Sequence, residues 1–251
     1  MNEGQIQAFM DFLRFSLEAE GAQMTESQDE QLRMVLDGEL NPDEAVQEIV
    51  DELGLDDAFK PSGDEDGRYP GTKCLVNFFN IRDREKLKAV ESRIVPIRMA
   101  QLLAGELPVK FDFNLLREIH SALFSDIYPS AGEIRHFGAS KRTSFCRPEY
   151  IQDMADNIFG KLLADRYLTD RDEESFINDL AFYMGEVQAL HPFFDGNGRS
   201  ARAFFYLLIL NAGYDMKWYE IDPDRLLEAD ISAITGEYQL LIDVLSEAVV
   251  S

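Results

Sequence analysis

The sequence has few cysteines and no long apolar run. Cys74 and Cys146 are the two cysteines of the 251-residue chain, and they form neither a metal-ligand spacing nor a disulfide framework. Nothing resembles a signal peptide, and no apolar stretch reaches the roughly 18 residues of a membrane-spanning helix. These absences predict a cytoplasmic protein. A secretion signal elsewhere, or delivery by another apparatus, is compatible with them.

Basic residues are also scarce. The chain has 47 acidic and 24 basic residues, for a net charge of −23. Such a surface repels nucleic-acid backbones and anionic lipids, so we expect no direct nucleic-acid binding and no membrane-surface role. The imbalance is concentrated at the N-terminus, where the first 60 residues hold 16 acids and 3 bases.

The chain is long enough for one large or two small domains. Residues 56–71 are rich in proline, glycine and aspartate and show little periodicity, which is typical of a linker. We therefore predict an N-terminal module over residues 1–55 and a larger domain over residues 72–251.

Helix signals in the N-terminal module are local and clear. Apolar residues recur at helical spacing up to Gly21, a natural C-cap. Capping boxes are predicted at Thr25–Gln28 and Asn41–Glu44, and Gly38 and Gly54 lie where the helices that these boxes open should end. The pattern predicts three helices.

The larger domain is predicted to be all-α with one short β-hairpin. Asp83 and Asp112 precede long apolar-periodic helices, and Pro148 and Asp222 begin others. Residues 132–146 alternate in character around a glycine, which favours a hairpin. On these residues alone, it could be an ordinary surface hairpin.

A dense group of functional side chains lies between two helices near the end of the chain. Pro192 disfavours the α conformation at the preceding residue, so the first helix should end near His191. Gly196 and Gly198 allow positive φ, and the N–H groups around Asn197 can then converge on an anion at the start of the second helix. This pattern predicts a phosphate site.

The side chains of this group suggest a reaction. His191 can act as a general base near neutral pH, and Asp195 is a hard oxygen ligand suited to Mg²⁺. Arg199 and Arg202 lie three residues apart, so both can face one polyphosphate. A simple helix-capping loop would leave both arginines and the aspartate unexplained. The group predicts nucleotidyl or phosphoryl transfer.

Residues 191–202, the signature segment, match the pattern H-P-F-x-[DE]-G-N-G-R-x-x-R at every fixed position. The chain thus resembles the Fic family. The resemblance implies AMPylation, in which AMP moves from ATP to a Tyr, Thr or Ser hydroxyl of a target protein, with His191 as base and Asp195 as Mg²⁺ ligand. It also implies nucleotide contacts by Phe193, Gly196, Asn197, Gly198, Arg199 and Arg202.

Two further regions are similar to parts of Fic proteins. A Lys-Asn pair of the family's nucleotide pocket corresponds to Val76 and Asn77, so only Asn77 carries over. Residues 132–146, the flap segment, correspond to the flap that docks the target by strand addition, which implies target contacts by Thr143, Ser144 and Phe145.

The N-terminal module resembles VbhA-type antitoxins, which inhibit Fic enzymes. Ser16, Glu20 and Gly21 fit the inhibitory pattern [ST]-x-x-x-E-[GN]. The resemblance implies that Glu20 pairs with Arg202 and blocks the γ-phosphate of ATP, so that the chain is autoinhibited. Alternatively, Glu20 simply ends an acidic helix, or the module is a structural cap.

These antitoxins are separate polypeptides, whereas here the module and the larger domain share one chain. The sequence leaves open whether the fusion is natural or engineered, and whether inhibition acts in cis or between molecules.

Taken together, these features predict an autoinhibited, Mg²⁺-dependent protein adenylyltransferase of toxin-antitoxin type. The alternatives are another Fic transfer, such as phosphorylation or phosphocholination, and a nucleotide-binding module without turnover. The resemblance also suggests a bacterial type II topoisomerase as target, while the sequence predicts no oligomeric state.

Overall fold

The computed structural model describes residues 1–55, 63–64, 66–139 and 144–250. Within these ranges the chain forms ten α-helices and a two-stranded sheet, so the all-α class predicted from the sequence is confirmed. The chain divides into two compact units. The first comprises Met1–Glu106 and His120–Glu133, and the second Leu107–Ile119 and Ile134–Ser251.

The first unit contains the N-terminal helices and one long helix. They are α1 (Glu3–Glu18), α2 (Glu26–Asp37), α3 (Pro42–Glu52) and α4 (Arg84–Ala104), and α5 (Phe113–Phe124) contributes its last residues. Asp83 caps α4 by accepting a hydrogen bond from the Lys86 N–H, as predicted. Helix α4 contains Pro96 and ends before Gly105.

Side-chain caps explain where the first three helices begin. Asn2 and Gln5 form a capping box at α1, and Thr25 and Gln28 form the predicted box at α2. At α3 the prediction was too strong, because Asn41 accepts only the N–H two residues later and no reciprocal box is present. Proline at the first helical position of α3 instead fixes the backbone there.

The end of α1 is closed by a left-handed glycine. Gly21 has a φ of 72°, and its N–H donates to the Glu18 oxygen at 2.8 Å, while the Ala22 N–H donates to the Leu17 oxygen at 3.0 Å. These two bonds form a Schellman motif and satisfy carbonyls that would otherwise lack partners. Glu20, immediately before the glycine, is therefore held at a defined helix end.

Helices α1, α2 and α3 all pack against α4. The Gln28 side chain donates to the Ser92 oxygen at 3.0 Å, and Arg98 forms an ion pair with Asp43 at 2.7 Å. The first compact unit thus extends beyond the predicted linker, of which residues 56–62 and 65 lie outside the described chain. The domain boundaries at residues 55 and 72 stay a prediction.

The second unit is built on five further helices and the start of α5, which Asp112 caps as predicted. The helices are α6 (Ile151–Ala164), α7 (Glu173–Leu190), α8 (Asn197–Asn211), α9 (Pro223–Ile234) and α10 (Gln239–Ala248). Short 3-10 turns occur at Pro148–Tyr150, Arg166–Leu168 and Trp218–Glu220. Helices α6, α8, α9 and α10 all contact α7.

Helix α7 is closely packed, and this fixes the position of its C-terminal end. At Gly185, an added Cβ would lie 2.7 Å from a ring carbon of Tyr238 and 3.0 Å from the Cβ of Ala233. Any side chain here would push α9 away, so glycine permits this close approach. Helix α8, which follows α7 in the chain, is buried along nearly its whole length.

The sheet does not lie at the predicted hairpin. Strand β1 (Asp215–Met216) pairs antiparallel with β2 (Val249–Val250), whereas residues 132–139 and 144–146 form turns and irregular chain with a single-residue bridge at Ser144. The Phe145 N–H donates to the Ala139 oxygen at 3.2 Å, so the chain does reverse there. Residues 140–143, which include the tip of the predicted hairpin, lie outside the described chain.

None of the helices in the described ranges combines the length and the hydrophobicity that are needed to cross a lipid bilayer.

Candidate active site

His191 lies at the C-terminal end of α7 in a left-handed conformation. Its φ and ψ are 44° and 59°, and its N–H donates to the Val187 oxygen at 3.2 Å. Helix α7 therefore ends at Leu190, as the following proline predicted. A left-handed conformation costs a non-glycine residue on the order of 1 kcal/mol, and such strain is common at functional sites. The imidazole is half-buried.

A pair of reciprocal hydrogen bonds closes the loop after His191. The Phe193 N–H donates to Asn197 Oδ1 at 2.9 Å, and Asn197 Nδ2 donates to the Phe193 oxygen at 2.9 Å. Both residues are buried. The Asn197 side chain thus holds the main chain of Phe193 and shapes the loop, and Asn197 can contribute to anion binding mainly through its main-chain N–H.

The two glycines of the loop have different roles. Gly196 has a φ of 73° and is the N-cap of α8, and its carbonyl accepts the Ser200 N–H at 3.0 Å. Gly198 lies inside the first turn of α8, so of the two glycines that allow a positive φ it is Gly196 that adopts one. The free N–H groups of this turn and the helix dipole favour an anion at the start of α8.

Asp195 lies at the exposed edge of this loop. Its Oδ1 accepts a hydrogen bond from the Gly196 N–H at 2.8 Å. Among the described residues, no cluster of three or more His, Cys, Asp or Glu side chains could hold a metal ion. A single carboxylate suits Mg²⁺ that is bound mainly by substrate phosphates and water.

Arg199 and Arg202 lie on the first turns of α8, where both are at least nine-tenths buried. The charge of Arg202 acts on the buried carboxylate of Asp230 in α9. Gln188 Nε2 in α7 donates to Asp230 Oδ2 at 3.1 Å. Burial raises the pKa of Asp230 to about 7, against the opposing effects of Arg202 and Gln188.

Asp230 was not predicted from the sequence. Its place among the inward-facing residues of α9, next to Ala229 and one turn after Leu226, is the one signal that could have indicated a buried carboxylate. Through Asp230, helix α9 joins α7 and α8 in the surroundings of Arg202.

The end of the flap segment reaches the candidate base. The ring of Phe145 stacks on the imidazole of His191, with centroids 3.7 Å apart and planes inclined by 6°. Ser144, which precedes it, is exposed. Thr143, the third predicted flap residue, lies outside the described residues.

Arg135, at the start of the flap segment, was also missed. Its side chain is 1% exposed. Nε donates to the His191 oxygen at 2.7 Å and Nη1 to the Phe137 oxygen at 2.8 Å, while Nη2 donates to the oxygens of Leu190 and Cys146. A buried arginine that binds main-chain carbonyls of the base and of the flap segment has no signature in the local sequence.

Asn77 is fully engaged by its own loop in the first unit. Its Nδ2 donates to the Leu75 and Ile81 oxygens, its Oδ1 accepts the Ile81 N–H at 3.0 Å, and the residue is completely buried. Both amide hydrogens are used. The predicted contact of this side chain with a nucleotide is therefore disfavoured, and Asn77 supports the loop instead.

The predicted inhibitory residues lie together at the end of α1. Ser16 faces the buried side of that helix, Glu20 is half-buried, and Gly21 is the left-handed residue described above. They belong to the first compact unit, whereas the signature segment belongs to the second.

Residues 110–209 match the Fic/DOC family, a range that includes α5 to α7 and most of α8. A probable protein adenylyltransferase of Sinorhizobium fredii, y4lH, is 34% identical over 172 residues, which cover 67% of this chain and 88% of the relative. The Fic protein of Escherichia coli, also a probable protein adenylyltransferase, is 31% identical, with coverages of 72% and 90%. The chain belongs to the Fic/DOC family.

A third relative shows that the same region occurs in longer proteins. The protein adenylyltransferase VbhT of Bartonella schoenbuchensis is 34% identical over 173 residues, which cover 68% of this chain. The match spans 36% of the length of VbhT.

Solved structures show the same Fic/DOC fold. The BepC effector of Bartonella tribocorum with bound AMPPNP superposes with a TM-score of 0.70 at 23% identity, covering 74% of this chain and 97% of that one. A Fic domain of Bartonella quintana with bound ADP gives a TM-score of 0.68 at 22% identity, with coverages of 75% and 96%.

Proposed function

We propose that this chain is a protein adenylyltransferase that moves AMP from ATP to a Tyr, Thr or Ser hydroxyl of a target protein. The observation that carries the proposal is the geometry of the signature segment. A strained histidine ends α7, and within a few residues the N-terminus of α8 presents N–H groups and two arginines. A base next to a phosphate site suits transfer to a hydroxyl. The adenylyltransferase names of the relatives support the same reaction.

In the proposed reaction, the target hydroxyl oxygen attacks the α-phosphorus of ATP. The bond from that phosphorus to the oxygen that bridges to the β-phosphate breaks. His191 takes the hydroxyl proton, pyrophosphate leaves with the electron pair of the broken bond, and AMP stays on the target as a phosphodiester. Positioning and charge neutralisation supply most of the catalysis.

The phosphates are held by the start of α8 in this proposal. N–H groups of its first turn, including that of Gly198, bind phosphate oxygens, and Arg199 and Arg202 bind the β- and γ-phosphates. Both arginines are buried before substrate arrives, so they have already lost most of their hydration and less reorganisation is needed on binding.

Mg²⁺ fits the same site. The Asp195 carboxylate is exposed next to the start of α8, as a ligand of phosphate-bound Mg²⁺ must be. When bound, the ion would neutralise part of the phosphate charge. Asp195 would hold it at the loop, which the Asn197 side chain keeps in shape through its two hydrogen bonds to the main chain of Phe193.

We further propose that the chain is autoinhibited, with Glu20 as the carboxylate that occupies Arg202 in place of the γ-phosphate. The inhibitory pattern at residues 16–21 and the rigid closure of α1 at Gly21 support this regulation. A carboxylate and a phosphate compete for a guanidinium by the same charge-assisted hydrogen bonds.

The position of the transferred label tests the proposed reaction. The Glu20→Gly chain is incubated with ATP labelled at the α- or the γ-phosphate, and protein-bound label is measured. We expect label from the α-position only, and no label when His191→Ala is added. Label from the γ-position would indicate phosphorylation. Label that is transferred only when labelled CDP-choline replaces ATP would indicate phosphocholination. ATP binding without transfer would indicate a binding module.

As target we propose a bacterial type II topoisomerase, with the reaction in the cytoplasm where ATP is abundant. Purified topoisomerase added to the same assay is expected to become the main labelled band. If it stays unlabelled while other proteins in a bacterial lysate are labelled, the target is wrong but the chemistry stands.

A further inference from the structure

We propose that Arg135 is a positioning residue for the reaction, which holds the main chain of His191 and ties both ends of the flap segment to it. This inference rests on the proposed function, because the consequence of losing Arg135 is expressed as a loss of transfer. The structural part of the inference can be measured without any transfer.

The contacts of Arg135 converge on the turn that carries His191. Nε donates to the His191 oxygen at 2.7 Å, and Nη2 donates to the Leu190 oxygen at 3.4 Å. The main-chain N–H of Arg135 donates to the Pro192 oxygen at 2.9 Å. Three consecutive carbonyls, before, at and after the base, therefore accept hydrogen bonds from one residue.

The same guanidinium binds the flap segment on both sides of its tip. Nη1 donates to the Phe137 oxygen at 2.8 Å on the incoming side, and Nη2 donates to the Cys146 oxygen on the outgoing side. The Cys146 N–H in turn donates to the Ala189 oxygen at 2.9 Å in α7. These contacts fix the described residues on both sides of the tip against α7 and Arg135.

Arg135 is a buried cation whose side-chain donors bind main-chain carbonyls. Burial lowers the pKa of its guanidinium, and its hydrogen bonds in the described part of the chain go to carbonyl dipoles. A buried cation is costly unless its donors are satisfied, and here several donors are satisfied at once by a fixed arrangement of carbonyls. Lysine cannot reproduce this because all three of its donors lie on one nitrogen, whereas the planar guanidinium spreads its donors over three nitrogens.

The hydrogen bonds of Arg135 matter because His191 has a left-handed backbone conformation. A histidine relaxes readily from that conformation if its neighbours allow it, and its imidazole would then move. The bonds from Arg135 to the carbonyls on both sides of the His191 α-carbon oppose such relaxation. They also keep Phe145, the residue before Cys146, where its ring stacks on the imidazole.

The experiment compares Arg135→Lys with Arg171→Lys, both in the Glu20→Gly chain. Arg171 lies in the same compact unit and bonds to Asp165 and Asp179, so its replacement also removes a guanidinium network without touching His191. Transfer from labelled ATP gives kcat and KM for each chain. We expect Arg135→Lys to lower kcat by at least about tenfold with KM for ATP changed less than about threefold, because a displaced base affects the chemical step.

A spectroscopic measurement tests the geometry directly. The chain has three histidines, so its imidazole proton NMR signals are few, and the one lost in His191→Ala is that of His191. The stacked ring of Phe145 shifts this signal, and Phe145→Leu defines its unstacked position. We expect the signal in Arg135→Lys to move toward the unstacked position, and the signal in Arg171→Lys to stay in place.

The outcomes are distinct. An unchanged His191 signal in a folded Arg135→Lys chain, or an unchanged kcat, overturns the proposal and leaves Arg135 a purely structural residue. A raised KM at constant kcat also overturns it. If no chain transfers label, the proposed function fails, and the NMR shift still decides the positioning of His191. Should Arg135→Lys not fold, Arg135→Gln, which removes the buried charge, is judged by the same two measurements.

Discussion

The ring of Phe145 lies parallel to the imidazole of His191, with 3.7 Å between the centroids. Phe145 belongs to the flap segment and His191 to the end of α7, so one face of the candidate base is covered by the segment that is expected to dock the target. Under the proposed docking role of that segment, this one aromatic contact would link the orientation of the base to the seating of the target.

Replacing Phe145 is expected to disturb the base without disturbing the fold. Phe145→Leu keeps an apolar side chain but removes the flat surface that orients the imidazole, so kcat in the Glu20→Gly chain should fall about three- to tenfold. Phe145→Tyr keeps the ring and serves as the matched control, with a kcat close to that of the parent. Equal rates for Leu and Tyr at this position would show that stacking does not orient His191.

Glu20→Gly is expected to activate the chain. If Glu20 occupies Arg202, removing it frees that arginine for the γ-phosphate, and initial rates of labelling should rise about 5- to 150-fold, the range of typical coupling energies. Glu18→Gly is the control, since Glu18 is exposed in the last turn of α1 and its replacement loosens the end of that helix while Glu20 is kept. A similar gain in both variants would attribute activation to loosening of α1 and not to the carboxylate.

Asp230 is expected to make folding stability depend on pH. Its pKa is about 7 in the folded chain, against an ordinary value of 3.8. The folded state thus holds this proton more tightly than the unfolded state, so the contribution of Asp230 to stability is best below pH 4 and declines as the pH rises toward 7. Asp230→Asn removes this cost, since the amide is neutral and its oxygen can still accept from Gln188.

The measurement is urea unfolding of the parent and Asp230→Asn at pH 5 and pH 8. The variant should gain stability relative to the parent between these values, and the full cost of ionisation is on the order of a few kcal/mol. A stability difference that is the same at both pH values would contradict the raised pKa.

Local chemistry explains what could be predicted from the sequence. Helix caps such as Thr25 and Asp83 act within one turn, and the signature segment carries His191 and Asp195 within a few residues of each other. The end of α7 before Pro192 follows from the same short-range rules. These parts of the fold and of the candidate site were therefore accessible.

Long-range packing explains what was missed. The Arg135 side chain donates to the carbonyls of Leu190 and His191, which are 55 and 56 positions away along the chain, and Gln188 of α7 donates to Asp230 of α9. Neither pairing leaves a periodic pattern. The sequence also could not tell which of Gly196 and Gly198 adopts a positive φ, because glycine allows that conformation without requiring it, and the structure shows that α8 begins before Gly198.

The packing of α1, α2 and α3 on α4 restricts how the proposed autoinhibition could be released. A separate antitoxin can be degraded and leave an intact enzyme behind, but here the apolar faces of the three helices are part of the core of a compact unit. Loss of residues 1–55 would expose to water the apolar face of α4 that these helices cover, and the exposed face would promote aggregation. Under the proposed autoinhibition, activation would then have to be a local rearrangement at the end of α1, and chains that lack residues 1–55 would not represent the active state.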